Sequence, residues 1–334
     1  MAILPSFIRS HFPLGRWAGW KTTATVLAIF LGAVVASPRA WDGGIIFFDP
    51  ANLTDALRAL VPVAITALAM TLVILTGGID LSVGAILALS GVVTARLLTD
   101  WQPSLPSTQH IAAAIGAGVL VGLLAGCLNG LLISWLKIQA FIVTLASMIG
   151  IRGFALWTAN NERIGLGVGH DVPGQFGEWF SRKGVMVGTW LILGVLFALL
   201  LNRTVFGRHL RALGDNGPAA SLAGLPIEMI QIAVYGLSGL LAGIAGVLLA
   251  ARTTTGDPNA GVALELDAIA VVVIGGASLS GGRGGIYGTV CGALIIGMVT
   301  NILGLRNVGS NAQLMLKAVI IVLAVAAQRS KSRS

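Results

Sequence analysis

Charge is scarce in this chain. Asp, Glu, Lys and Arg make up 10% of its 334 residues, only 13 of them acids, where soluble domains carry roughly a quarter. So few ionic groups cannot clothe the surface of a water-soluble fold of this length. Cysteine is almost missing too: Cys127 and Cys291 each lie inside an apolar run, which indicates buried free thiols and no disulfide framework. The four histidines (His11, His110, His170, His209) stand apart and outside H-E-x-x-H spacing, which removes the common zinc intramembrane protease pattern. No lysine follows a glycine in G-x-x-x-x-G-K-[ST] order, so the chain has no Walker A loop of its own. Paired acids and a Ser–His arrangement are likewise missing, which disfavours an intramembrane enzyme. No polar interval is long enough for a soluble receptor or scaffold domain.

What remains is apolar. Hydrophobic residues account for 56% of the chain and the mean hydropathy is +0.90, as in a polytopic membrane protein. A spanning helix needs roughly 20 apolar residues, fewer inside a bundle. The runs are 22–37, 56–76, 81–98, 111–136, 140–158, 184–202, 228–251, 265–276, 285–303 and 313–328, the eighth of them short. The pattern predicts an all-α polytopic membrane protein of about ten transmembrane helices, organised as one domain over 22–328. A basic segment, 1–21, precedes it and a basic tail, 329–334, follows. The net charge of +8 is concentrated in short segments between runs, as topology determinants are. Arg203, Arg208, Arg211 and the tail weight the orientation toward both termini in the cytoplasm.

Glycine is abundant, with 45 residues. Gly118, Gly122, Gly126 and Gly130 recur every fourth position, and Gly239 and Gly243 repeat the spacing. Such grooves let helix backbones approach closely where lipid supplies no hydrophobic drive. Two glycine-rich breaks echo one another: Gly77-Gly78-Ile79-Asp80-Leu81-Ser82-Val83-Gly84 and Gly275-Gly276-Ala277-Ser278-Leu279-Ser280-Gly281-Gly282. Paired breaks in apolar helices point to transport. Acids inside the runs are nearly lacking: Asp80 is the main candidate, with Glu265 and Asp267 at the mouth of the short run. An ion-coupled secondary carrier of a small polar solute is the rival reading, but it usually needs acids near the midplane.

The residues from Met70 to Gly84, which include Thr76-Gly77-Gly78-Ile79-Asp80-Leu81-Ser82, resemble the signature of permease subunits of ribose-type ABC monosaccharide importers. So do Ala140-Phe141-Ile142-Val143-Thr144-Leu145-Ala146 and Gly207-Arg208 followed by Ala212-Leu213-Gly214-Asp215-Asn216. The longest match runs from Leu264-Glu265-Leu266-Asp267 through Val273-Ile274-Gly275-Gly276 to Ser280-Gly281-Gly282-Arg283-Gly284. Four motifs in order make the resemblance specific.

It implies the type II importer permease bundle in a bacterial inner membrane. It also implies no catalytic or metal site, and no cofactor on this chain. ATP and magnesium would sit on a partner ATP-binding cassette subunit, beside a second permease copy or paralogue and a periplasmic sugar-binding protein. The interval 203–225 resembles the family's cytoplasmic coupling segment. There Gly207 and Arg208 open the segment, Gly214 would permit a turn, and Asn216 would cap a short helix. Ala219, Ala220 and Gly224 would offer a small-residue contact face to the ATPase. Asp80, Ser82, Glu265, Asp267 and Arg283 are the gate and translocation candidates. Asp80 and Arg283, both at glycine-rich breaks, are expected either to pair as ions or to be solvated separately.

Overall fold

A computed structural model describes residues 16–39, 44–101, 105–309, 311–316 and 318–319. The N-terminal segment up to residue 15, most of the run 313–328 and the tail 329–334 lie outside the described residues. The helices are α1 (Arg16–Ala36), α2 (Pro50–Leu75), α3 (Val83–Thr99), α4 (Ser107–Leu136), α5 (Ala140–Thr158) and α6 (Val172–Phe180). They continue as α7 (Lys183–Arg203), α8 (Val205–Asp215), α9 (Gly217–Leu222), α10 (Ile227–Thr253), α11 (Leu264–Ile274) and α12 (Ile286–Leu305). Two strands of two residues, β1 (Ile164–Gly165) and β2 (Thr255–Gly256), pair antiparallel.

Among the described residues, six helices are long and apolar enough to cross a bilayer: α2, α4, α5, α7, α10 and α12. The fold is therefore that of a polytopic helical membrane protein. α3 is apolar but has 17 residues. α11 has 11, about 16 Å at 1.5 Å per residue, or half a hydrocarbon core.

α2 is the hub. Asp49 caps it by accepting from the Ala51 N–H at 2.8 Å, and Pro50 occupies its first turn, where a missing N–H costs nothing. From Leu60 to Leu75 all but one residue is buried. A helix apolar on every side belongs inside a bundle. α4 is two-faced instead. A Cβ on Gly126 would fall 2.9 Å from the Gly239 Cα, and one on Gly122 2.6 Å from the Gly239 carbonyl oxygen, so α4 and α10 touch backbone to backbone. The opposite face shows Leu120, Leu124 and Leu128 outward, to lipid. One end of the bundle is closed by α6, whose Phe176 is fully buried with Leu98, Ile111 and Val247. The other end carries α8 and α9.

The chain between α10 and α11 turns back into the bundle. A Cβ on Gly256 would lie 2.5 Å from that of Ala95, and one on Gly261, at φ +67°, 2.9 Å from the Gly84 carbonyl oxygen. Residues 256 to 261 thus descend along α3 from near its last turn to its first, and α11 begins at depth. Irregular backbone is tolerated there only where protein or trapped water covers it. Arg152 of α5 supplies the cover, donating from Nη1 to the carbonyls of Pro258 (2.7 Å) and Ala260 (2.6 Å).

Candidate functional site

The first glycine-rich break joins α2 to α3 and carries a fully buried carboxylate. Asp80 Oδ1 accepts from the Ser82 backbone N–H (3.0 Å) and the Ser82 hydroxyl (2.6 Å), and Oδ2 from the Ser238 hydroxyl of α10 (2.8 Å). Asn129 of α4 donates from Nδ2 to Ser82 Oγ at 2.8 Å, and its Oδ1 accepts from Ser147 of α5. Thr144 of α5 donates to the Ile79 carbonyl at 3.1 Å. A buried carboxylate is costly unless its oxygens are satisfied. Here three donors satisfy it, and the network fastens the break to α4, α5 and α10 at once. Ser238 lies eleven residues beyond Ile227, the first residue of α10, about 16 Å along the axis. Asp80 is thus well inside the bundle.

Arg283 is elsewhere. It is exposed, and among the described residues it makes no ion pair with Asp80. Neither expected arrangement of the two charges holds in full: Arg283 is open to solvent, and Asp80 sits among hydroxyls in the interior. Glu265 and Asp267 also part company. Glu265 reaches the start of α3, where a Cβ on Gly84 would lie 2.6 Å from its Oε2. Asp267 faces α2 and α12 in a cavity of about 390 Å³ that it shares with Asp55, Thr300 and Asn301.

The two echoed breaks meet in space. The Gly282 N–H donates to the Leu75 carbonyl at 3.0 Å. A Cβ on Gly281, at φ +91°, would lie 2.8 Å from the Gly214 carbonyl oxygen and 3.0 Å from the Gly77 nitrogen. A Cβ on Gly214 would overlap the Leu75 carbonyl oxygen and lie 2.5 Å from the Gly282 nitrogen. Three backbones therefore converge at Gly77, Gly214 and Gly281, from the end of α2, the last turn of α8 and the α11–α12 loop, with the Asp215 carboxylate alongside against Gly282. Gly214 is inside α8, with no left-handed backbone. Its glycine is required by this approach and not, as expected from the motif, by a turn.

The rest of the segment 203–225 follows from its caps and corners. Thr204 caps α8 by accepting from the Gly207 N–H at 3.4 Å, and a Cβ on Gly207 would lie 2.6 Å from the Leu201 Cα. Only glycine fits that corner between α7 and α8. Leu210 and Leu213 turn into the bundle, while Arg208 is exposed. Asn216 caps α9, accepting from the Ala219 N–H at 3.0 Å. Ala219 and Gly224 are exposed and Leu222 is 90% exposed, whereas Ala220 is 6% exposed. Ala220 is packed inward and so is not open on the expected contact face, whereas Leu222, which the motif did not single out, is exposed beside it.

Sequence reasoning did not reach Asn129, Ser147, Ser238, Tyr235 or Arg152. A signal existed in the polar residues interrupting apolar helices, but nothing local says which of them converge.

Residues 52–325 match the family described as "Branched-chain amino acid transport system / permease component". The chain belongs to this permease family. It is 41% identical over 291 residues to the ribose import permease protein RbsC of Escherichia coli, covering 85% of this chain and 88% of that one. The RbsC of Bacillus subtilis is 42% identical over 288 residues, covering 86% and 87%. The L-arabinose ABC transporter permease protein AraH of Azospirillum brasilense is 40% identical over 283 residues, covering 84% and 80%. As a member of the family, the chain is a multi-pass permease subunit of the inner membrane, a transport component and not itself an enzyme. All four motifs fall within the matched residues.

Proposed function

We propose that the chain is the membrane-spanning permease of an ATP-binding cassette importer that takes up a monosaccharide. A periplasmic binding protein delivers the sugar. A second permease copy or paralogue completes the pathway, and separate cytoplasmic subunits, holding ATP and magnesium, supply the energy. The chain crosses the membrane about ten times, with 1–21, 203–225 and 329–334 in the cytoplasm. The sugar assignment is supported by relatives named for ribose and arabinose import at 40–42% identity over most of the chain. The family description names amino acids, but at that breadth the named relatives are the closer guide to the class of solute.

The observation that carries the coupling role is the exposure of Leu222 on α9, which follows directly on the α8 turn whose Gly214 meets the bundle backbone to backbone. Leu222, 90% exposed, is flanked by exposed Pro218, Ala219 and Ala223, and a contiguous apolar surface of this kind suits a protein groove. Movement of α8 there would be transmitted to the α2–α3 break, because no flexible side chain lies between Gly214 and Leu75 to absorb it. Asp80 and Ser82 brace that break, and Glu265, Asp267 and Arg283 remain translocation candidates on separate walls. The test is uptake in membrane vesicles holding the full importer. Uptake that needs ATP and the binding protein is expected. Robust uptake driven by a proton gradient with ATP depleted would favour the ion-coupled carrier instead.

A further inference from the structure

A second cavity, of about 390 Å³, opens at the α8 end between the last turns of α2 and α4 and the first turns of α5 and α10. Its lining is polar where the surrounding bundle is not: Ser134, Lys137, Gln139, Glu228 and Gln231 contribute to it. Lys137 ends α4 in a left-handed conformation at φ 52°, which turns the chain sharply at the rim. Glu228 stands in the first turn of α10. Both are exposed, and among the described residues neither enters an ion pair, with the other or elsewhere. The rim thus presents one free positive and one free negative group.

The inner wall adds an independent observation. Tyr235 is 1% exposed and its hydroxyl has no hydrogen-bond partner. It lies against Gly78, where a Cβ would come within 2.5 Å of the oxygen, and Gly77, Gly78 and Tyr235 all line the cavity. A buried hydroxyl without a partner is uncommon and expects one.

The mouth adjoins the lipid. Trp135 and Leu136, just before Lys137, are 69% and 60% exposed, and Ile138, Phe141 and Ile142 beyond it are exposed too. Tryptophan and lysine at a helix end mark the depth of the headgroups.

We propose that this cavity holds the zwitterionic phosphate–ammonium headgroup of a phosphatidylethanolamine-type lipid, with Lys137 on the phosphate and Glu228 on the ammonium. The balance of charge selects against an anionic headgroup, which would leave Glu228 facing a like charge. The apolar residues at the mouth favour a ligand with acyl chains over a free sugar or a free phosphoester, because they offer burial only to the chains. Tyr235 supplies a donor on the inner wall. The occupied cavity would wedge the ends of α2, α4, α5 and α10 beside the point where the first break meets α8.

The test uses the full chain in its assembled importer, stripped of lipid in detergent. It is then exposed separately to phosphatidylethanolamine, phosphatidylglycerol and soluble glycerophosphoethanolamine, with bound ligand counted by native mass spectrometry. Phosphatidylethanolamine is expected to be retained on each chain more strongly than either comparison. Lys137→Gln combined with Glu228→Gln should weaken its retention by at least about tenfold, the loss of two charge-assisted contacts, without changing retention of phosphatidylglycerol. Both side chains are exposed at helix ends, so an unchanged melting temperature should accompany the loss. Tyr235→Phe, which removes only the hydroxyl, should weaken retention by a smaller factor. Equal retention of the two lipids, or unaltered retention in the double variant, overturns the proposal. Retention of the soluble headgroup as strong as that of the lipid overturns the lipid source and leaves a free phosphoester as the ligand. Displacement of the lipid by a monosaccharide overturns it in favour of a sugar site.

Discussion

Gly214→Ala is the most informative single change. A methyl group at this position would overlap the Leu75 carbonyl oxygen and lie 2.5 Å from the Gly282 nitrogen. Ordinary contact therefore demands a displacement of about 1.5 Å from the carbonyl oxygen and about 1 Å from the nitrogen. Neither neighbour can yield as a side chain would, because both are backbone, joined to each other by the 3.0 Å hydrogen bond from Gly282 to Leu75. Overpacking of this kind costs about 1–3 kcal/mol, and displacing the hydrogen bond about 1 kcal/mol more. Against this, alanine in a helix interior gains back about 0.5–1 kcal/mol. The net is a loss of about 2 kcal/mol, located at the junction and not spread over the bundle. In the reconstituted importer the variant should still co-purify with the ATPase, since the α9 surface is untouched. Stimulation of ATP hydrolysis by loaded binding protein should fall, and uptake with it. Gly188→Ala is the control: it lies inside α7 with ordinary helical backbone and nothing within 4 Å. It should gain about 0.5–1 kcal/mol of helix stability and leave coupling intact. If Gly214→Ala keeps full stimulation and an unchanged melting temperature, the backbone junction does not transmit movement and the reasoning fails.

Four further outcomes are expected. Asp80→Ala removes the acceptor for three donors and leaves Ser238 without its partner, at a cost of about 2–3 kcal/mol; a melting temperature equal to that of the parent would contradict the network. Arg152→Ala frees the carbonyls of Pro258 and Ala260, and hydrogen exchange should accelerate over residues 256–263 well before it does in α4. Gly126→Val places side-chain atoms into the α10 backbone, since a Cβ there already meets Gly239 at 2.9 Å, and should cost more than about 3 kcal/mol and depress the yield of folded protein. Leu222→Glu should leave the melting temperature unchanged, because the side chain is 90% exposed, yet reduce co-purification of the ATPase; full retention of the ATPase would remove Leu222 from the docking surface.

Composition and periodicity alone determined that the chain lives in lipid. They also marked the glycine face of α4, because charge scarcity and a repeat every fourth residue are properties of the chain, not of its neighbours. Motif order pointed to the permease family, and capping chemistry at Asn216 is local enough to be read directly. Tertiary structure decided the rest. Asp80 and Ser238 are 158 positions apart, and no local pattern could tell that a serine in α10, rather than Arg283, would meet the carboxylate. Gly214 looks like a turn residue in sequence, since glycine is permissive for two unrelated reasons, left-handed backbone and close approach. Only the position of the α2 carbonyl distinguishes them. Likewise the run 265–276 reads as a short span, whereas the descent of residues 256–261 along α3, and with it the deep start of α11, depends on contacts that Arg152 makes across more than a hundred residues of chain.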